Sequence, residues 1–174
     1  MFGFKDRGKG TQQDSEENDS KVLVAPGTEI SYKPTLIEKY KQDHQALQEI
    51  FDEILNAVQE ADSKTFLVRL RDLQIALRRH LLDEELNLYI YLRHCYVGDK
   101  LKQEMINKFK RRSKKVGTDV FSFISKLSEE GYVISYNEDF ISELVAIGNL
   151  LQGLLETEES VLYPIYRKPL AIPV

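Results

Sequence analysis

At 174 residues, with 42% hydrophobic and 30% charged residues, the chain has the size and composition of one globular domain with a core of its own. A net charge of -4 argues against a protein built chiefly to bind nucleic acid, and no run nears the roughly 20 apolar residues of a membrane span. The single cysteine, Cys95, excludes an internal disulfide, and Met1–Lys5 is too short and charged for a signal peptide, so a cytoplasmic protein is expected.

Residues 1–30 read as a flexible polar tail, because Asp6–Ser20 is almost all Asp, Glu, Lys, Gln, Ser and Gly and cannot bury enough apolar surface to order itself. Val22–Ala25 reads as a short extended strap before the Pro26-Gly27 turn. Residues 31–174 form the domain. From Pro34 the pattern is helical, with Ile37, Tyr40, His44, Leu47, Phe51, Ile54 and Val58 recurring at steps of three and four. Ser63 is the expected N-cap of a second helix. Its stripe runs Phe66, Leu70, Leu73, Leu77, His80, Glu84, Leu88 and Tyr91.

Gly98-Asp99 breaks the chain, and a third helix follows through Met105, Phe109, Val116, Val120, Phe123 and Leu127. Arg112 or Ser113 fills the missing step of this weaker stripe. Gly131 suits the helix end, and Tyr132–Tyr136 reads as loop. Asn137 with Glu138 and Asp139 opens a fourth helix that buries Phe140, Leu144, Ile147, Leu151, Leu154, Glu158, Val161 and Ile165, before Pro169 ends any continuation. Four helices with short connections predict an all-α, up-down-up-down four-helix bundle.

His44, His80, Glu84 and Glu158 all sit on stripe positions, and at about 1.5 Å of rise per residue they fall at one end of such a bundle and at similar depth. Buried carboxylates need a cation, a proton or a basic partner. Two supplies are open: a metal ion, or the guanidinium of Arg112 in the basic run Lys108–Lys115 of the third helix. The rest of that run is expected to be a solvated face or a contact for an acidic protein surface. His94 reads as a surface residue and Cys95 as a small, partly buried one. Tyr89, Tyr91 and Tyr163 cluster near the site end; the expected role is packing with the hydroxyls at the surface, and the alternative is hydrogen bonding to groups around the site.

Asp43-His44-Gln45-Ala46-Leu47 resembles the first-helix ligand motif of hemerythrin-like (HHE cation-binding) domains. His80-Leu81-Leu82-Asp83-Glu84-Glu85-Leu86 is similar to their second-helix His-x-x-x-Glu motif, and Thr157-Glu158-Glu159-Ser160-Val161-Leu162-Tyr163-Pro164 to their fourth-helix end. The resemblance covers about Pro34 to Tyr166. It implies His44 and His80 as terminal ligands and Glu84 and Glu158 as bridging carboxylates of a non-haem iron centre. The departures are equally specific. Leu154 stands where the family places a fourth-helix histidine, and the third helix has no histidine near Phe109–Ser113. One half of the family's di-iron site is thus kept and the other lost.

The resemblance therefore implies a mononuclear or degraded site, with one metal ion or none. Iron is the expected metal, with Mn or Zn open, and the role is sensing or binding rather than O2 transport or enzymatic turnover. The alternative is a metal-free bundle that serves as a regulatory module for a protein partner.

Overall fold

The computed structural model describes residues 24–127 and 136–167. The polar tail before Val24, the helix end at Gly131, the loop over residues 132–135 and Pro169 lie outside the described residues.

The described chain is all-helical apart from its turns, and its one extended pairing is the isolated bridge between Val24 and Ser31. That bridge closes a turn in which the Ala25 amide donates to the Ile30 carbonyl at 2.8 Å. Ala25 is fully buried, so ordered packing begins before the residue 30 boundary expected for the tail. No described helix is long and apolar enough to cross a membrane.

Helix α1 spans Leu36–Gln59 and α2 spans Ser63–Asp83. The second rod then continues through a π-helical turn, Glu84–Tyr89, into α3, Ile90–Cys95. Helix α4 covers Lys100–Leu127. Helix α5 covers Glu138–Thr157 and runs on through a second π turn, Glu158–Leu162, and a short 3-10 turn, Tyr163–Ile165. These pieces make four long rods. Asn137 caps α5 as expected, its side chain accepting from the Phe140 amide at 2.9 Å.

The cap of α2 differs from expectation. Asp62, not Ser63, holds the N-cap, and its Oδ1 accepts from the amides of Lys64 and Thr65 at 3.1 Å each. Ser63 is instead the first helical residue. An aspartate in that place satisfies two otherwise orphaned amides and puts a negative charge at the positive end of the helix. Asp62→Ala should lower the midpoint of urea denaturation, whereas Ser63→Ala should change it far less. Equal losses for the two would contradict this assignment.

Helix α1 packs on α2, α2 on α4, α4 on α5 and α5 back on α1, which closes a ring around the core. Gly148 lets α5 approach α1, because a Cβ there would run into the Phe51 ring. The second-helix stripe is buried at every expected position from Phe66 to Tyr91. In α4 the buried residues near the site are Ile106 and Ser113, while Met105 and Phe109 are half-buried and Arg112 is exposed.

The fourth rod departs further. Val161 is 44% exposed and Ile165 is only half-buried, whereas Leu162, Tyr163 and Tyr166 are buried. The π turn at Glu158–Leu162 is the cause. It inserts one extra residue per turn, so the buried face advances by one position relative to a 3.6-residue period.

The core divides into two apolar clusters. One is built on Leu47, Leu77, Val116 and Leu155, and the other on Tyr40, Leu88, Ile106 and Leu162. Along each rod a buried polar side chain interrupts the two: His44 in α1, His80 and Glu84 in the second rod, Ser113 in α4 and Glu158 in the fourth. A polar layer thus lies across an otherwise apolar bundle.

Candidate metal centre

His44 and His80 are each 1% exposed, and Glu84 and Glu158 are fully buried. One nitrogen or oxygen from each of these four residues lies within 4.8 Å of the other three, so the cluster is close enough to hold a metal ion. The four residues expected to converge do converge. Both carboxylates stand at the first residue of a π turn, a local distortion of the kind that recurs at functional sites.

The inner face of the site is defined by which atoms point into it. His44 Nε2 is 3.1 Å from His80 Nε2 and 3.6 Å from Glu158 Oε2, and His80 Nε2 is 3.7 Å from Glu84 Oε2. Ligand atoms bound at about 2.0–2.2 Å around one ion stand roughly 3–3.6 Å apart at neighbouring positions. These three distances match that spacing to within a few tenths of an ångström, and all four ligand atoms lie within 4.8 Å of one another. The chemistry of the gap agrees. Glu84 Oε2 and Glu158 Oε2 are buried and have no hydrogen-bond partner, a costly state that a cation between them would relieve.

The outer nitrogens face acids. His44 Nδ1 donates to Glu159 Oε1 at 2.8 Å, which leaves its Nε2 lone pair aimed inward. His80 Nδ1 lies 3.6 Å from Asp43 Oδ2, too far for a direct hydrogen bond. Each outer acid is the sequence neighbour of a ligand on a different rod: Asp43 precedes His44 and Glu159 follows Glu158. Lys39 holds Asp43 in turn, at 3.1 Å.

Two tyrosines complete the layer, taking the alternative of hydrogen bonding at the site in place of hydroxyls at the surface. The Tyr163 hydroxyl lies 2.9 Å from both His44 Nε2 and Glu84 Oε1. The Tyr89 hydroxyl donates to Glu158 Oε1 at 3.4 Å. Only Tyr91 of the three turns away from the site, donating to the Arg167 carbonyl at 2.7 Å. Tyr163 is five residues from Glu158, a π-helical step that a search at the α-helical period passes over. Asp43 and Glu159 lie inside the motifs quoted from the sequence, but nothing in their spacing marks them as partners of histidines on other rods.

Without a metal ion the layer is electrostatically poor. Burial, with His44 beside it, holds His80 down to about 4. Burial also lowers His44, against the pull of Glu159. Burial pushes Glu84 up to about 8 despite the Tyr163 hydroxyl, and burial together with the Glu84 charge raises Glu158 well above the ordinary carboxyl range. Near neutral pH the metal-free site therefore holds a neutral His80 and a protonated Glu84, and burial pushes His44 and Glu158 in the same directions.

Arg112 does not supply the missing cation. Its guanidinium is exposed and donates to Thr157 Oγ1 at 2.9 Å and to the Gly153 carbonyl at 2.8 Å. Ser113 takes the inward step instead and lies beside Tyr89. Leu154, fully buried, stands on the rod beside Glu158 and brings no donor atom. His94 is half-buried and away from the cluster, and Cys95 is a half-buried free thiol whose pKa burial raises.

Comparison with protein-family models, with curated proteins and with solved structures finds no match to this chain.

Proposed function

We propose that this chain is a hemerythrin-like metal-binding domain, an up-down-up-down four-helix bundle that holds one metal ion between His44, His80, Glu84 and Glu158. The observation that carries this proposal is the pair of buried, unpartnered oxygens, Glu84 Oε2 and Glu158 Oε2, facing the inward Nε2 atoms of two histidines. Short connections between successive rods, three residues between α1 and α2 and four between α3 and α4, favour the up-down course.

Two imidazoles and two carboxylates suit Fe(II), Mn(II) or Zn(II), and iron is the metal that the family resemblance favours. A bound ion would supply Lewis acidity or, for iron, a redox change. The chain's own residues do the rest. Glu159 fixes the His44 tautomer, Tyr89 orients Glu158, and the apolar clusters above and below keep water out. A site buried this deeply, with no second set of ligands at Leu154 or on α4, fits binding or sensing better than O2 transport or turnover. A metal-free regulatory role is the weaker account, because Arg112 is engaged elsewhere and the oxygens of the two acids are left unpartnered among the described residues.

The direct test is metal analysis of protein purified without chelator, repeated after refolding with Fe(II), Mn(II) and Zn(II) in turn. Close to one equivalent of one metal is expected. Only traces of all three, before and after refolding, would refute the proposal. Glu159→Ala should weaken metal binding by roughly 10–100-fold in a chelator competition while circular dichroism stays unchanged, since it frees the His44 ring without removing a ligand. Unchanged affinity would show that the Glu159 contact does not support the site.

A further inference from the structure

We propose that Tyr163 is a fifth donor to this site, its phenol oxygen binding the metal ion beside the Nε2 atom of His44. The inference rests on the metal-binding function proposed above and identifies the ion that the site prefers.

Position comes first. The Tyr163 oxygen is 2.9 Å from His44 Nε2, the spacing of adjacent donors around one ion at bond lengths of about 2.0–2.2 Å. It is also 2.9 Å from Glu84 Oε1, the oxygen beside the unpartnered Oε2. The hydroxyl therefore stands among the ligands rather than behind them.

Tyr89 provides the contrast. Its hydroxyl donates to Glu158 Oε1, at 3.4 Å, with Ser113 beside it, and makes no hydrogen bond to a histidine nitrogen, so it is a positioning residue.

The second argument concerns hydrogens. With Nδ1 donating to Glu159, His44 Nε2 is an acceptor, and Glu84 Oε1 is another. Tyr163 has one hydrogen and donates it to Glu84, which leaves His44 Nε2 to the His80 Nε2 3.1 Å away. An ion that takes the His44 lone pair removes the first acceptor and leaves the phenol oxygen beside a metal-bound nitrogen. The ring is fixed against swinging away. It is 3% exposed, it stacks on His44 at 5.4 Å and 27°, and Tyr40 packs against it at 5.9 Å. Pro164 follows directly and restricts the backbone.

Coordination forms the oxygen–metal bond as the O–H bond breaks. The proton passes to buffer with those released from the carboxyls, and no electron moves. The resulting donor set of two nitrogens and three oxygens, one of them a phenolate, favours the harder Fe(III) over Zn(II).

The full chain loaded with Fe(III) from its nitrilotriacetate complex tests this. The wild type should bind one equivalent and show a visible phenolate-to-iron charge-transfer band, with tyrosinate modes enhanced in resonance Raman spectra. Tyr163→Phe should keep the fold, lose the band, and bind Fe(III) roughly 10–100-fold more weakly, while Zn(II) binding changes far less. A wild-type protein that holds one equivalent of Fe(III) without such a band overturns the proposal and leaves the four-residue site standing. A band of equal strength in Tyr163→Phe overturns it too and moves the phenolate to Tyr89. No Fe(III) bound by the wild type, with the other metals also refused, overturns both the site and this proposal. If Tyr163→Phe fails to fold, the wild-type Raman spectrum alone decides.

Discussion

Replacement of His80 by alanine should abolish metal binding and with it every metal-dependent increment of stability. His80 carries one of the two inward nitrogens, and no other histidine can replace it, since His94 is away from the cluster. In the parent protein, metal at 100 times its dissociation constant stabilises the native state by about 2.7 kcal/mol, which for a chain of this length raises the melting temperature by roughly 5–10 °C. His80→Ala should melt at one temperature with chelator or with added metal. Comparing the two proteins each with chelator separates the cost of the lost ring from the cost of the lost ion. Stoichiometric metal retained by the variant would overturn the ligand assignment.

The bundle and its four candidate ligands are legible in the sequence because both obey the α-helical period. His44 falls between Tyr40 and Leu47, and His80 and Glu84 extend the run Phe66–Leu77, so burial of those stripes carries the polar groups inward with them. The period fails where the helix changes type. Beyond Glu158 the π turn advances the buried face by one residue, which exposes Val161 and brings Tyr163 into the site. No local propensity marks that turn. It begins at a buried carboxylate, Glu158.

The acids Asp43 and Glu159 are illegible for a different reason. Each reaches a histidine on another rod, at 3.6 Å and 2.8 Å, and such a pairing depends on how the rods face one another rather than on spacing within either. Of the two residues the sequence offers for the missing step of α4, Arg112 and Ser113, the structure takes Ser113. On α4 the inward step belongs to Ser113, and a guanidinium one residue away turns out to the carbonyl of Gly153. A rotation of about 100° per residue separates a buried ion pair from a surface hydrogen bond.

The second large effect is the loss of a pH dependence of stability when metal is added. In the metal-free protein Glu84 has its folded pKa raised to about 8 from 4.5, so between these values the native state holds a proton that the unfolded chain releases. Stability contributed by that proton is lost as pH rises through the window. His80, lowered from 6.5 to about 4, acts in the opposite sense, because between those values it is the unfolded chain that binds the proton. The two effects oppose each other below pH 6.5. Above it the histidine is neutral in both states and the carboxyl acts alone.

Metal-free protein should therefore lose on the order of 2 kcal/mol between pH 6.5 and 8, with Glu158 adding to the loss in the same direction. A metal ion displaces those protons, so metal affinity rises with pH and the loaded protein should hold a nearly level stability over the same interval. Urea midpoints with chelator and with one equivalent of metal should thus diverge as pH increases. Glu84→Gln, which keeps the shape and removes the titration, should flatten the metal-free slope and abolish the divergence together. If the metal-free midpoint is level or rises from pH 6.5 to 8, the buried acids are already neutralised by some other partner, and the case for a cation between them fails.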